Sequence, residues 1–221
     1  MSKVINIKIF NRLQIITGLI FLIGIFFRIY NLGFSNFQED EVSAQNFLFG
    51  ELTFWEFLIS RQVGPGQYVV ANIFNIIADF YNLNKQFFVR LPYAIAGILT
   101  MYFVYDYAKK YFSKSAGVIA LILFSTSGLL IAFSRFLQYQ SFILLFSILS
   151  ILFLSKFLKN NNQKYIFFSG LTSAIGFLFH YDALSFILPI IVILFVTKNY
   201  ISLIKYVFVI FFISMFFYIP Y

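Results

Sequence analysis

The sequence predicts an all-α fold, a polytopic bundle of about seven membrane-spanning helices with interfacial helices in the first outer loop. Composition gives the first indication: 61% of the 221 residues are hydrophobic and 11% are charged, whereas soluble domains carry about 25% charged residues. The apolar residues also form runs that are long enough to cross a bilayer as helices. The basic residues lie in the short gaps between these runs, which is typical of multi-pass membrane proteins.

Seven apolar segments of 14–21 residues are predicted to span the membrane, although the fifth and sixth are short for a span. They are Leu13–Tyr30, Leu91–Tyr111, Ala116–Phe133, Ser141–Leu158, Tyr165–Phe179, Ala183–Val196 and Ile201–Tyr221. No small-residue cleavage site follows the first segment, which indicates an uncleaved helix and not a signal peptide. Because the last segment runs to the final residue, we expect residues 1–221 to be one transmembrane domain from the front part of a longer protein.

Basic residues mark one face of this bundle. They precede the first segment and occupy the gaps between segments two and three, four and five, and six and seven. The positive-inside rule places these gaps and the N-terminus in the cytoplasm. Topology therefore accounts for the net charge of +8, and no nucleic-acid partner is predicted. Rich use of Ile, Phe, Asn and Lys is typical of an AT-rich bacterial genome. We therefore expect the protein to lie in the cytoplasmic membrane of a bacterium.

The first outer loop, residues 31–90, decides this orientation. Gln67–Tyr81 is apolar enough to resemble a span, yet Asn72, Asn75 and Asp79 form one polar helical stripe. Counting it as a span would place the following lysines outside, so we predict an interfacial helix in the outer leaflet. Shorter helices are expected at Val42–Phe49 and Thr53–Ile59.

The acidic run Glu39-Asp40-Glu41 is the first candidate for chemistry. It follows the first span, and carboxylates near lipid are costly. One of them could accept a proton from an attacking hydroxyl or amine, or bind a cation. A solvated acidic loop is the alternative.

Two arginines on the same outer face are candidates for phosphate binding. Arg90 opens the second span, and Arg135 lies in the polar stretch 134–140 with Gln138 and Tyr139. A guanidinium presents a planar fork that suits phosphate oxygens. An arginine that only anchors the helix at the interface is the alternative for Arg90.

The lone histidine lies in the outer gap His180-Tyr181-Asp182. It could shuttle a proton, bind a substrate or ligate a cation, and a structural role is the alternative. One His and no Cys exclude disulfides, thiolate chemistry and a multi-histidine metal site within this chain.

These motifs occur in the order of a known family. The matching stretches are Arg28–Leu32, Asp40-Glu41, Gly64–Tyr68, Arg90–Pro92 with Gly97, Ser134–Ser141 and His180-Tyr181. Together they resemble the N-terminal membrane half of the GT-C glycosyltransferases. That group includes protein O-mannosyltransferases, the lipid A aminoarabinose transferase and the bacterial group typified by rhizobial lipopolysaccharide transferases.

The resemblance implies inverting transfer of a sugar from a polyprenyl-phosphate donor to a glycan, lipid or protein acceptor on the outer face of the membrane. It implies Asp40 as the base with Glu41 beside it, and Arg90 and Arg135 near the donor phosphate. Gln138, Tyr139, His180 and Tyr181 are then expected to contact substrate. Some members bind a divalent cation, but we assign no metal ligand here. A transporter, lipid flippase or assembly subunit is the rival class.

Overall fold

The computed structural model describes residues 2–45, 56 and 64–218, with side chains from residue 14 onwards except at positions 39, 43 and 45. Every regular element in this part of the chain is helical, which confirms the all-α class. The helices are α1 Ser2–Ile29, α2 Glu39–Gln45, α3 Gly66–Phe80, α4 Lys85–Tyr111, α5 Lys114–Thr126, α6 Gly128–Arg135, α7 Gln140–Asn160, α8 Gln163–Phe179, α9 Leu184–Val196 and α10 Tyr200–Tyr218. A 3-10 turn at Tyr181–Ala183 precedes α9.

Three of these helices, α4, α7 and α10, are long and apolar enough to cross a membrane, and the pair α5 and α6 makes a fourth if it counts as one broken span. Shorter apolar helices cover residues 14–29 and 181–196. The structure therefore fits a membrane helix bundle, and the number seven stays a prediction.

The predicted single helix Ala116–Phe133 is wrong. The segment forms two helices, α5 and α6, which are bent by 59° relative to each other. Ser127 joins them with an extended backbone (ψ 113°), and the run Thr126-Ser127-Gly128 combines residues of weak helix propensity. The bend directs α6 towards the end of α1.

The helices place chemically different residues at the two ends of the bundle. At one end, which we call the acidic end, the C-terminus of α1 meets α2, the loop 136–139 and the turn 180–183. At the other, the lysine end, the α4–α5, α7–α8 and α9–α10 connections carry eight lysines: Lys109, Lys110, Lys114, Lys156, Lys159, Lys164, Lys198 and Lys205. For these described connections, the charge sorting expected from the sequence is present in the fold.

Hydroxyl groups join α7, α8 and α10 inside the bundle. The Ser150 and Ser173 hydroxyls lie 2.7 Å apart, and Ser173 lies 2.7 Å from the Tyr206 hydroxyl. Ser150 and Ser169 each donate to the other's carbonyl at 3.0 Å. Such small polar contacts let helices approach closely and hold them together in a membrane.

Helix α3 begins and ends within one residue of the predicted interfacial helix. Its polar stripe does not face one environment, because Asn75 is fully buried while Asp79 is exposed and pairs with Lys85 at 3.0 Å. Ile73 and Phe80 are exposed on the other side. Of the shorter predicted helices, Val42–Phe49 is described only to residue 45, and Thr53–Ile59 lies outside the described residues apart from Glu56, which is helical.

Candidate functional site

A buried ion pair organises the acidic end. Arg90, at the second turn of α4, donates from Nε and Nη2 to the two carboxylate oxygens of Glu41, at 2.8 Å and 2.7 Å. Both side chains are about 99% buried. Bidentate pairing of this kind is the strongest form of a charged hydrogen bond.

The remaining Arg90 donors hold the loop between α1 and α2. Nη1 donates to the carbonyls of Leu32 and Ser35, both at 3.1 Å, and Nη2 donates to the carbonyl of Asn36 at 3.1 Å. All five N–H groups of a guanidinium are then engaged. In this arrangement Arg90 shapes the loop and offers no donor to a phosphate.

Glu41 also joins two backbone segments. Its carboxylate accepts the N–H of Gln38 at 3.0 Å, which caps the start of α2. It accepts the N–H of Leu137 at 3.0 Å as well, from the loop after α6. One buried carboxylate therefore fixes the position of α2 relative to α4 and the 136–139 loop.

The neighbouring carboxylate faces solvent. Asp40 is exposed, and the Gln138 side chain donates to its Oδ2 at 3.3 Å. It lines an open cavity of about 710 Å³ whose other walls include Phe37, Phe133 and Phe136. Two adjacent acidic residues thus have opposite environments: Glu41 is locked in the core, and Asp40 faces an open cavity.

Arg135, at the end of α6, binds the C-terminus of α1. Nη1 donates to the carbonyls of Phe27 and Tyr30, both at 2.8 Å, and Nη2 donates to the carbonyl of Asn31 at 3.3 Å. A cation is favourable at this negative end of a helix dipole. The side chain is half-buried.

A second buried arginine, Arg28, was not predicted as a site residue. Its Nη1 donates to the carbonyl of Gly24 at 3.0 Å, and its Nη2 to that of Phe124 at 2.8 Å. Phe124 is in the last turn of α5, where the bend leaves carbonyls without helical partners. The sequence signal that could have identified Arg28 is its position inside an apolar span, where basic residues are rare and often functional.

An aromatic stack forms the second half of the acidic end. The rings of Tyr139 and His180 are parallel, with centroids 3.8 Å apart, and the exposed Tyr181 ring lies 3.9 Å from that of His180. Burial lowers the pKa of His180, which the Asp182 carboxylate partly offsets. Burial also raises the pKa of Tyr139 to about 12, again with a contribution from Asp182.

The backbone N–H of Asp182 donates to His180 Nδ1 at 3.1 Å. A ring nitrogen that accepts a hydrogen bond carries no proton, so this contact matches the neutral imidazole that a lowered pKa favours. The Asp182 carboxylate, 3.2 Å from Nδ1, becomes a partner once the ring is protonated.

A second open cavity, also about 710 Å³, lies beside this stack. Its walls are mostly apolar, from Leu129, Leu130, Ile143 and Leu144, with Tyr139 and Tyr181 at its polar side. Phe133 lines both cavities. The two spaces therefore adjoin, one lined by carboxylates and aromatic rings and the other suited to an apolar chain.

The predicted turn at Gly64-Pro65-Gly66 packs against the same end. A Cβ at Gly64 would overlap the carbonyl of Leu178, so this approach requires glycine. Gln67 in the first turn of α3 donates to the carbonyl of Leu137 at 3.1 Å, and its own carbonyl accepts the Tyr93 hydroxyl at 3.0 Å. Here the turn serves packing.

The structure thus brings all the predicted site residues to one end of the bundle, in two groups. Asp40, Glu41, Arg90 and Gln138 form the first group, around the acidic cavity. Tyr139, His180 and Tyr181 form the second, and Arg135 lies at the end of α1. Their individual roles stay predictions. Within the described part of the chain, no three His, Asp or Glu side chains are placed to share a metal ion.

These features define a membrane helix bundle with a carboxylate-lined cavity next to an apolar one at a single end. Residues 66–221 match the model of the dolichyl-phosphate-mannose-protein mannosyltransferase family, so that 156 of the 221 residues are covered. The chain belongs to this family of GT-C type. No curated protein and no solved structure matched it.

The family assignment makes the protein a multi-pass membrane glycosyltransferase and counts against the transporter, flippase and assembly-subunit alternatives. The matched region starts after the acidic run. The assignment of Asp40 and Glu41 therefore depends on the motif resemblance and on their position in the fold.

Proposed function

We propose that this protein moves a sugar from a polyprenyl-phosphate donor to a glycan, lipid or protein acceptor, with inversion, at the membrane face that carries the acidic end. The charge distribution supports the outer face for this end, and we take the membrane to be the cytoplasmic membrane of a bacterium. The observation that carries the proposal is the exposed Asp40 carboxylate, which lines a cavity that adjoins a second, apolar cavity.

Asp40 is the proposed base. The acceptor hydroxyl would lie in the acidic cavity and give its proton to Asp40 as its oxygen attacks the anomeric carbon. The new glycosidic bond forms while the bond from that carbon to the phosphate oxygen breaks, and the lipid phosphate keeps the electron pair. Gln138, which donates to Asp40 at 3.3 Å, would hold the carboxylate in position.

Glu41 and Arg90 are proposed as positioning residues. Their charged groups form hydrogen bonds with each other and with the loop backbone. They would therefore hold Asp40 in the cavity without contacting the substrate. This replaces a phosphate contact by Arg90 with an indirect role. It also explains why two adjacent carboxylates can differ in function: both border the cavity, but Asp40 is exposed there whereas Glu41 is almost fully buried.

The donor would occupy the apolar cavity. Leu129, Leu130 and Leu144 offer a wall for a polyprenyl chain, and that cavity has the size of a typical ligand site. Phe133, between the two spaces, would lie near the reacting carbon. Arg135 is the proposed phosphate partner, since its half-buried guanidinium could stabilise the charge that develops on the leaving group.

The aromatic stack is proposed to bind the sugar. Tyr181 is exposed and Tyr139 lines the apolar cavity, so a sugar ring could rest against them beside His180. A divalent cation could also bind at this site, but the proposed proton transfer does not need one.

The test is a sugar-transfer assay in membranes with a panel of labelled polyprenyl-phosphate sugars. Asp40→Asn should lower turnover by about 10²–10⁴-fold, the range for loss of a general base, while membrane insertion is unchanged. Asp79→Asn is the matched control, because Asp79 is an exposed carboxylate at the same end that pairs with Lys85 away from the cavity. Equal turnover of wild type and Asp40→Asn would remove Asp40 from the mechanism.

A further inference from the structure

The lysine end contains eight lysines and few carboxylates. From residue 83 to residue 181 the sequence has one acidic residue, Asp106, and none follows Asp182. The Asp79–Lys85 and Glu41–Arg90 ion pairs lie at the other end. A positive surface of this kind at a membrane boundary attracts anionic headgroups.

Two of these lysines share one aromatic ring. The Lys156 ammonium lies 5.8 Å from the centre of the Tyr165 ring, and the Lys164 ammonium lies 5.1 Å from the same point. Lys156 also lies 5.4 Å from the centre of the Phe153 ring. The ring attracts each cation, and it places two positive charges near one ring, where a bound anion would be attracted to both.

A third lysine, Lys205 of α10, reaches the N-terminus of α8. Lys205 donates to the Gln163 side chain at 3.2 Å, and Gln163 immediately precedes Lys164. The C-terminal part of α7 and the N-terminal turns of α8 and α10 therefore each contribute one ammonium group.

Below these cations lies an exposed aromatic surface. Phe167 and Phe168, one turn along α8 from Lys164, are 50% and 40% exposed. Phe168 packs on Phe153 with ring centroids 5.4 Å apart, so the surface continues onto α7. Cations at the end of two helices with apolar rings below them match the two halves of a phospholipid.

We infer that Lys156, Lys164 and Lys205 bind the phosphate headgroup of an anionic phospholipid, whose acyl chain packs on Phe153, Phe167 and Phe168. The phosphate is attracted to the three ammonium groups, and the aromatic rings hold those of Lys156 and Lys164 in place before the lipid arrives. This site lies at the opposite end from the glycosyltransferase cavities and does not depend on the proposed mechanism.

Native mass spectrometry of the purified protein in detergent, titrated with phosphatidylglycerol or phosphatidylcholine, tests the inference. The double variant Lys156→Gln/Lys164→Gln should lose roughly ten-fold or more in apparent phosphatidylglycerol affinity, at roughly five-fold per lysine. Lys109→Gln/Lys110→Gln is the matched control. It removes the same charge at the same end, but each of its lysines lies over a separate ring, Tyr105 and Tyr111.

A measurement on the wild-type protein avoids any effect of the substitutions on folding. In nanodiscs, an amine-reactive ester should label Lys156 and Lys164 more slowly with phosphatidylglycerol than with phosphatidylcholine, while Lys109 and Lys110 change little. Equal loss of lipid in the two double variants would overturn the inference. So would equal protection by inorganic phosphate, because the site would then not recognise a lipid.

Discussion

The two ends of the bundle use charge in different ways. At the acidic end the buried charged groups bind each other and the backbone, as Arg90 does with Glu41 and three loop carbonyls. At the lysine end, the ammonium groups of Lys109, Lys156 and Lys164 lie over aromatic rings. Charge at the acidic end therefore determines the shape of a loop, whereas charge at the lysine end faces outward.

Neutralising one charged residue at each end should give the largest difference in the free energy of unfolding. Glu41→Gln should lower the free energy of unfolding by about 3–5 kcal/mol, because it leaves the Arg90 guanidinium buried beside an amide. Lys156→Gln should change it by less than about 1 kcal/mol, as expected for a surface charge. Thermal or denaturant unfolding in detergent measures both.

The acidic end supplies a further control for this contrast. The Asp79–Lys85 pair has a similar N–O distance of 3.0 Å, but its side chains are 59% and 30% exposed, against 1% and 2% for Glu41 and Arg90. Asp79→Asn should therefore cost only about 0–1 kcal/mol. Similar losses for Glu41→Gln and Asp79→Asn would show that burial does not separate the two pairs.

Arg28 sharpens the comparison with a smaller effect. Arg28→Met removes the donor to the Phe124 carbonyl at the bend, and an unpaired buried carbonyl costs about 1–3 kcal/mol. Lys159→Met replaces an exposed basic residue in the last turn of α7 with the same side chain. It should alter the free energy of unfolding by only a few tenths of the Arg28→Met value. Unfolding midpoints of the two variants test this, and equal midpoints would mean that the bend does not need Arg28.

Local patterns predicted the helices well, and they failed where distant residues decide the structure. The bounds of α3 follow from its composition and turn residues to within one residue. The sorting of charges between the ends follows from the order of spans. The bend at Ser127 was missed although Thr126-Ser127-Gly128 is a recognisable weak point, because the surrounding apolar run was long enough for one helix.

The pairing within the acidic end could not be predicted from the sequence. Glu41 and Arg90 are 49 residues apart, and nothing in either local sequence selects that partner over the neighbouring Asp40. The difference arises from the pitch of α2, which turns Glu41 inward and Asp40 outward. The stack of Tyr139 on His180 depends in the same way on two loops that meet only in the fold.

The smallest expected effect is a pH dependence that belongs to the acidic end alone, because the chain has one histidine. Burial lowers the pKa of His180 below its ordinary value of 6.5, so the folded protein binds this proton less readily than the unfolded chain does. Its contribution to stability is complete above pH 6.5 and declines as the pH falls towards the pKa of the folded state. The free energy of unfolding should therefore rise with pH across this window, and His180→Gln should flatten the slope. A slope that persists in His180→Gln would assign the effect to the carboxylates and not to the stacked imidazole.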